Sequence, residues 1–402
     1  MSNNYQSGLG DDALKTNAVI KVIGIGGGGS NAVNRMVGDN DEVEYWVFNT
    51  DVQALSHSDC ENRLILGEHV TRGLGSGGIP ETGRAAAEDS IDNIRVIVEN
   101  ADMVFIACGE GGGTGTGAAP VVARCAKEAG CLVLAIVTRP FTFEGKQRLD
   151  NSIAGIEALK AEVDSIIVVS NDKLTFNGGD LSFDNAFTLS DTVLARSVKT
   201  ITDLILKHGK INLDFADVKQ TLQHKELALI GIGEGEGDNK AIDASKAALD
   251  SPLLESSIVG ARSMIINFTV GPDTKLSEVD YAVRYIKEQA LGHVEDEDDG
   301  SVSVIFGARV DPDLCGKMQV ALIATDFDKD TLNTDTRVFN RPRTYPRTTT
   351  LFKNKTKNAE PEPAYEEENH VESDVVRQIE EEKSESILPD YFRNRFDDDD
   401  DN

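Results

Sequence analysis

Gly111-Gly112-Gly113-Thr114-Gly115-Thr116-Gly117 follows an apolar run at 103–108 and precedes a helix-like run at 118–129. A strand, a glycine loop and a helix start together make a phosphate cradle. Glycines let the backbone approach an anion without Cβ interference, and the N–H groups and dipole of the following helix supply positive potential where a phosphate sits. Thr114 and Thr116 add hydroxyl donors. No Lys-Ser or Lys-Thr pair ends the loop, so it is not the arrangement G-x-x-x-x-G-K-[ST]. Backbone amides, not a lysine, must hold the anion.

On either side of this loop, short β-branched runs at 19–25, 45–49, 103–108, 133–137 and 166–169 alternate with helical ones. That alternation predicts βαβ units in a parallel sheet. A helical pattern starting near Ser182 or Asp184, with Phe187, Leu194, Val198, Ile201 and Ile205 at three- and four-residue steps, stops at Gly209. Its roughly 26 residues predict a span of about 39 Å. Apolar runs at 227–232, 264–270, 302–306 and 320–323 form a second, smaller mixed α/β block. Beyond residue 330 polar and charged residues dominate, basic at 331–357 and acidic from Glu360, which predicts disordered linker. One apolar island, at 387–393, interrupts it and has the look of a partner-docking peptide.

The formal net charge of −29 over 402 residues argues against binding nucleic acid through its phosphates. Any anionic ligand has to be held by a local positive site. Cys60, Cys108, Cys125, Cys131 and Cys315 are scattered without C-x-x-C spacing and read as reduced thiols, neither a disulfide framework nor a zinc set. No apolar stretch approaches the ~18 residues of a membrane span and the first residues lack signal-peptide organisation, so a cytoplasmic protein is expected.

A second glycine cluster follows the first strand. Gly24, Gly26 and Gly29 satisfy G-x-G-x-x-G, a helix is expected to open at Asn31, and Asp51 stands where a dinucleotide enzyme keeps its ribose-binding acid. Alone, this suggests an NAD-linked oxidoreductase. That reading leaves the loop at 111–117 without a role, whereas two amide cradles at neighbouring strand ends suit a mononucleotide with several phosphates.

Several segments then carry a specific resemblance. Gly26-Gly27-Gly28-Gly29-Ser30-Asn31-Ala32-Val33-Asn34-Arg35, Arg72-Gly73-Leu74-Gly75, the 111–117 loop with Ala118-Ala119-Pro120, Pro140-Phe141-Thr142-Phe143-Glu144-Gly145 and Asn212-Leu213-Asp214-Phe215-Ala216-Asp217 resemble the FtsZ family, the prokaryotic tubulin homologues. The resemblance runs in order over about residues 17–328, and the island at 387–393 is similar to that family's C-terminal peptide. It implies a Rossmann-like GTP-binding domain at 17–182, a central helix at 183–210 and a smaller mixed-sheet α/β domain at 211–328. A disordered extension at 1–16, a disordered linker at 329–385 and a docking peptide with an acidic end at 386–402 complete the chain. The implied activity is a cell-division GTPase, activated by self-assembly, that polymerises head to tail at the division site on the inner face of the membrane. The implied partners are further copies of itself and, through Ile387, Leu388, Pro389, Tyr391, Phe392 and Arg393, membrane-tethering and regulatory division proteins.

By this resemblance Gly26, Gly27, Gly28, Gly29, Ser30 and Asn31 face the nucleotide, and Gly112, Gly113, Thr114, Gly115 and Thr116 contact its phosphates. Glu144 and Arg148 correspond to a pair near the ribose, although their i,i+4 spacing equally suits a surface ion pair. Phe187 and Asp191 match base-recognition positions; a carboxylate there accepts from the N1–H and exocyclic amine of guanine and finds no such pair on adenine. Without the resemblance Phe187 reads as core and Asp191 as a solvated helix residue. Asn212, Asp214 and Asp217 match the catalytic loop, while Asp214 and Asp217 at a helix start also suit capping. A helix of about 39 Å separates that loop from the glycine cradles, so the acids would serve the nucleotide of another copy, orienting water in trans. Mg²⁺ is expected, held mainly by phosphates, because no all-protein cage is visible; the acidic group at 295–299 reads as a solvated loop. Glu110, Ile79, Lys225 and Glu226 depart from the family pattern, as does the terminal acidic run. A carboxylate at 110 repels a triphosphate unless it points to solvent or joins a metal shell. Glu110, Ile79 and Glu226 favour one alternative, a GTP-binding filament former that scarcely hydrolyses and acts as a scaffold.

Overall fold

The computed structural model describes residues 18–176, 182–207, 209–292 and 302–327. The extension at 1–16, the acidic group at 295–299, the linker at 329–385 and the peptide at 386–402 lie outside the described residues. Ten strands form one sheet: β1 (Ile20–Ile25), β2 (Val43–Asn49), β3 (Arg63–Ile65), β4 (Met103–Gly109), β5 (Leu132–Arg139), β6 (Ser165–Ser170), β7 (Glu226–Glu236), β8 (Ala261–Val270), β9 (Ser303–Val310) and β10 (Lys317–Phe327). Their spatial order is β3-β2-β1-β4-β5-β6-β7-β10-β8-β9. The first six strands are parallel, β10 runs antiparallel to both β7 and β8, and β8 and β9 are parallel.

Strands β1, β4 and β5 are apolar almost throughout because helices cover both faces of a parallel sheet. On one face Met103, Phe105, Leu134 and Ile136 pack against Leu194, Val198 and Ile201 of the long helix. On the other, Val104, Ile106, Val133 and Ala135 pack against Val121, Val122 and Cys125. A third core, with Phe268, Met264, Ile286 and Val320, serves the antiparallel end of the sheet. The long helix is Phe183–Leu206, with the Ser182 side chain accepting from Asn185 N at 3.3 Å. Its 24 residues span about 36 Å, a little less than the pattern predicted, because it ends before Gly209.

The two halves meet through a short seam. β6 and β7 pair only as Ser165↔Glu226 and Ile166↔Leu227. Lys225, Glu226 and their neighbour His224 lie here; His224 and Glu226 both adopt left-handed backbone with φ of 58°. Lys225 pairs with Asp326 at 2.8 Å and Glu226 with Lys160 at 3.3 Å, so these two departures from the family pattern contribute ion pairs to the seam.

The strand order reverses at β1, which has β2 on one side and β4 on the other. Ligands of open α/β sheets bind beyond the carboxyl ends of the strands at such a switch point. Ile25 is level with Cys108, so the two glycine clusters leave the sheet side by side. Both are more helical than the sequence suggested. One helix is Gly26–Asn34 and not a loop up to Asn31; the other is Thr114–Glu128 and starts before Ala118. The reason is packing. A Cβ on Gly29 would strike the Ala107 carbonyl, one on Gly115 would lie 2.7 Å from Gly109 O, and one on Gly117 would strike Pro80 O and lie 2.6 Å from Arg84 N. Strand β3 escaped the sequence pattern because three half-exposed edge residues carry no periodicity.

Gly117→Ala is expected to destabilise the fold by about 1–3 kcal/mol, because the helices Pro80–Asp89 and Thr114–Glu128 must separate to admit a methyl group. Denaturant unfolding of the variant beside the parent measures this.

Candidate nucleotide site

A cleft of about 430 Å³ opens beyond the ends of β1 and β4, within the range of small-molecule sites. Its floor is Gly27 and Gly28 from the first glycine helix and Gly112, Gly113, Thr114 and Gly115 from the loop and first turn that open the second. Two helices therefore begin at the same cavity, each presenting N–H groups that have no partner within its own helix. Neither start carries an acidic side chain in its first turn, so the dipoles are uncompensated and favour an anion. A Cβ built on Gly27 or Gly112 meets nothing within 4 Å. Unlike Gly29, Gly115 and Gly117, these two glycines border open space that a side chain would fill.

Not every residue picked from sequence faces this space. Gly26 and Gly29 are buried, and the buried Ser30 hydroxyl donates to Gly26 O at 2.6 Å, bracing its own helix turn. Thr116 is also turned inward: its hydroxyl accepts from Gly111 N at 2.8 Å and ties the loop into a closed turn. These four support the cradle from behind. Thr114 lines the cleft, and its hydroxyl shares hydrogen bonds with Thr50 Oγ1 at 2.7 Å and Ser76 Oγ at 3.0 Å. Thr50 and Ser76, which sequence reasoning missed, thus join three loops under the phosphate floor. They carry no motif of their own; only the position of Thr50 at the end of β2 hinted at a role. Asp51 does not face the cleft: it caps the helix Val52–Ser56, accepting from Gln53 N at 2.8 Å. The dinucleotide reading therefore lacks its ribose acid.

The walls of the cleft are aromatic and polar. Phe187 packs against Phe183 and Phe141, with ring centroids 5.0 and 5.3 Å away, and Phe143 stacks on Phe141 at 5.0 Å. Phe143 and Phe183 are largely exposed, so the cluster ends in an uncovered aromatic edge next to the cleft. Asp191, one turn on from Phe187, lines the same wall. Burial pushes its carboxyl up from 3.8 to about 6, opposed by Arg35 and by a hydrogen bond to Asn31. Glu144 Oε1 accepts from Phe141 N at 2.9 Å and its Oε2 pairs with Arg148 at 2.5 Å. Both open readings of that pair meet here, since the i,i+4 ion pair also borders the cleft. Thr138, Asn171 and Ser190 complete the wall; Ser190 donates to Asn171 Oδ1 at 2.7 Å. They were invisible in sequence because distant segments bring them together.

Glu110 fits neither of the two situations foreseen for it. It is buried, and its Oε2 has no hydrogen-bond partner. Ile79 is half exposed and ends the loop that backs Gly113.

The acidic loop lies elsewhere. Asn212 Oδ1 accepts from Gly209 N at 2.5 Å, and Ile211 exchanges two backbone bonds with Ala308, at 3.0 and 3.1 Å. Asp214 precedes the helix Phe215–Leu222 but makes no side-chain capping bond, so the capping reading does not account for its exposed carboxylate. From Asp191 to Leu206 the long helix advances about 22 Å, and Asn212, Asp214 and Asp217 follow its far end. None of the three borders the cleft. Among the described residues no group of three or more His, Cys, Asp or Glu side chains is placed to hold a metal.

Gly27→Ala is expected to leave the unfolding free energy within about 0.5 kcal/mol of the parent, since its methyl meets no atom. Its affinity for a guanine nucleotide should fall at least tenfold, as read by titration with a fluorescent analogue. Asp191 also gives the apo protein a pH signature. A carboxyl raised on folding contributes stability that is fully present below about pH 3.8 and is lost as the pH rises through about 6. Asp191→Asn should remove that loss, which denaturation of both proteins at pH 4, 5, 6 and 7 will reveal.

Comparison with known proteins accords with this geometry. The Tubulin/FtsZ family GTPase domain matches residues 19–177 and the FtsZ family C-terminal domain matches residues 226–328. An empty dimer of FtsZ from M. jannaschii is 39% identical over 78% of this chain and 89% of that one, with a TM-score of 0.72. GDP-bound CetZ1 from Haloferax volcanii, 21% identical, matches in fold, with a TM-score of 0.67 over 80% of this chain and 98% of that one. The matched domain is that of a GTPase family, which implies binding of GTP or GDP. With two glycine helices converging on one cavity and both family domains in order, the chain belongs to the tubulin/FtsZ family.

Proposed function

We propose that the chain is a cell-division GTPase that assembles head to tail and hydrolyses GTP at the junction between subunits. The observation that carries this reading is the separation of the acidic loop at 212–217 from the cleft by most of the long helix. An exposed Asp214 carboxylate that makes no capping bond, distant from the glycine cradles, suits a site completed by a second copy. The FtsZ of M. jannaschii was solved as a dimer, which supports self-association as the mode of action. In this reading residues 17–182 form the GTP-binding domain, 183–210 the central helix and 211–328 the domain that presents the acids to the next subunit.

The roles then divide as follows. Amides of Gly27, Gly28 and Gly112 to Gly115 hold the phosphates; Phe187 packs on the base and Asp191 accepts from guanine; Glu144 and Arg148 border the ribose. Asp214 and Asp217 orient the attacking water of the neighbouring subunit, with Asn212 setting the loop. Mg²⁺ fits as a phosphate-held ion, supplying charge neutralisation, because the cleft offers amides and hydroxyls more than free carboxylates. No helix among the described residues is long and apolar enough to cross a membrane, so attachment at the division site falls to partners of the peptide at 387–393. A second reading, a scaffold that binds GTP and hydrolyses little, is favoured by the buried carboxyl of Glu110 beneath the phosphate loop.

Phosphate release measured against protein concentration should show a threshold, below which turnover vanishes. Asp214→Ala is expected to bind GTP within twofold of the parent and to lose turnover on the order of a hundredfold. Mixing it with the cradle variant Gly27→Ala should restore part of that turnover, because an intact cradle then meets intact acids at some junctions. Failure of the mixture to recover would refute action in trans, and persistent filaments with negligible phosphate release from the parent itself would favour the scaffold.

A further inference from the structure

Glu110 sits between β4 and the glycine-threonine loop, at the root of the phosphate cradle. Its N–H donates to Thr138 O at 2.9 Å, which fixes the main chain to β5. Its carboxyl is buried. Oε1 accepts from the Cys108 thiol at 3.4 Å. Oε2 lies against Gly155 of the helix Lys146–Lys160, in a notch that any Cβ at 155 would fill, and has no partner. Ser152, one turn earlier on that helix, is also wholly buried with an unpartnered hydroxyl. A buried polar atom without a partner is costly, and an unpaired buried charge is costlier still.

Among the described residues no cation faces the Glu110 carboxyl. From β4 the group faces Cys108, from the helix Thr114–Glu128 the Thr116 hydroxyl, and from the helix Lys146–Lys160 Gly155. Arg148 on the last helix is paired with Glu144, and Arg139 at the end of β5 with Glu255 at 3.5 Å. We propose that Glu110 is a proton-linked positioning residue: its carboxyl must be neutral for the adjoining loop to hold a polyphosphate, so that nucleotide binding takes up a proton. This rests on the reading of the cleft as a guanine-nucleotide site.

The electrostatics run in one direction. The amides of 112–116 attract a phosphate through uncompensated positive potential, and a carboxylate behind them cancels part of it. The phosphate in turn raises the carboxyl's affinity for a proton, by the same free energy. Burial already pushes the free carboxyl up to about 7, opposed by Thr116 and Cys108, so near neutral pH the group is divided between its two forms. Below that pH the neutral form prevails and binding is unimpeded; above it each binding event must first protonate Glu110. Protonation exchanges a buried charge for one O–H group, the smaller burden for a carboxyl that no cation faces.

The test is the affinity for GDP, followed by a fluorescent analogue from pH 6 to pH 8.5, in the parent and in Glu110→Gln. The nucleotide's own terminal phosphate titrates in this range and is common to both, so the difference between them reports Glu110. Parent affinity should fall about tenfold relative to the variant across the range, equivalent to one pKa unit of coupling. Calorimetry in two buffers of different ionisation enthalpy should find up to about half a proton taken up by the parent at pH 7 beyond that taken up by Glu110→Gln. Should Glu110→Gln melt early, Glu110→Met, which occupies the notch without titrating, replaces it with the same expectation. Parallel pH profiles in parent and variant, with binding intact, overturn the proposal alone. No binding by the parent at any pH overturns both the proposal and the reading of the cleft.

Discussion

Two helices can start at the tips of adjacent parallel strands, and point at one anion, only if nothing projects between them and the strands. That steric constraint governs this protein. Gly29 lies on the Ala107 carbonyl, Gly115 on Gly109 and Gly117 on Pro80, each at a separation that excludes a Cβ. Because β1 and β4 are in register at Ile25 and Cys108, closing these contacts aims both helix starts into the same cavity. The geometry that packs the core and the geometry that creates positive potential are therefore one arrangement. Relaxing it to admit a methyl group would move the amides from the site as well as loosen the fold.

Polar groups around the cavity divide by what satisfies them. Thr50, Ser76 and Thr114 form a buried hydroxyl set at the floor, and Thr116 closes the loop at Gly111, so the neutral donors and acceptors answer one another. The carboxyls do not fare equally. Glu144 has Arg148 and a backbone N–H, whereas Asp191 and Glu110 are both pushed up by burial, the first with Asn31 and Arg35 near it and the second with no cation facing it among the described residues. A site for a polyanion has to keep its own negative charge low or paired. Protonation achieves this at Glu110, and pairing achieves it at Glu144.

Much of this was legible in the sequence because it depends on local pattern. Continuous apolar runs marked nine of the ten strands, and the three- and four-residue spacing from Phe187 to Ile205 marked the long helix. Glycine number was legible but glycine purpose was not: Gly27 and Gly112 border the cavity, while Gly29 and Gly117 serve packing, and only coordinates separate them. For the same reason Ser30 and Thr116 read as ligands when their hydroxyls brace the backbone. Thr50, Ser76, Thr138 and Asn171 come from four separate segments, so no spacing rule could gather them. The inward turn of Glu110 was likewise hidden, since it depends on a notch at Gly155, 45 residues away in the chain.

The net charge of −29 gives these local arrangements their importance. A strongly acidic chain repels both a nucleotide and a second copy of itself at long range, over about a Debye length of 8–10 Å. Only short-range, directional groups can overcome that field. In the proposed site the helix-start amides would do so for phosphate, being fixed dipoles that carry no counter-charge and cannot be titrated away. The same logic applies to the exposed Asp214 and half-buried Asp217, which lie at the far end of the long helix. Facing solvent they add to the repulsion; facing a phosphate-held cation on another copy they would be neutralised. An acidic surface loop of this kind favours association only where the opposing surface brings its own positive charge, and a nucleotide-bound Mg²⁺ is a charge that a bare cleft does not have. Nucleotide loading and head-to-tail contact would then be linked by electrostatics alone, before any conformational change is invoked.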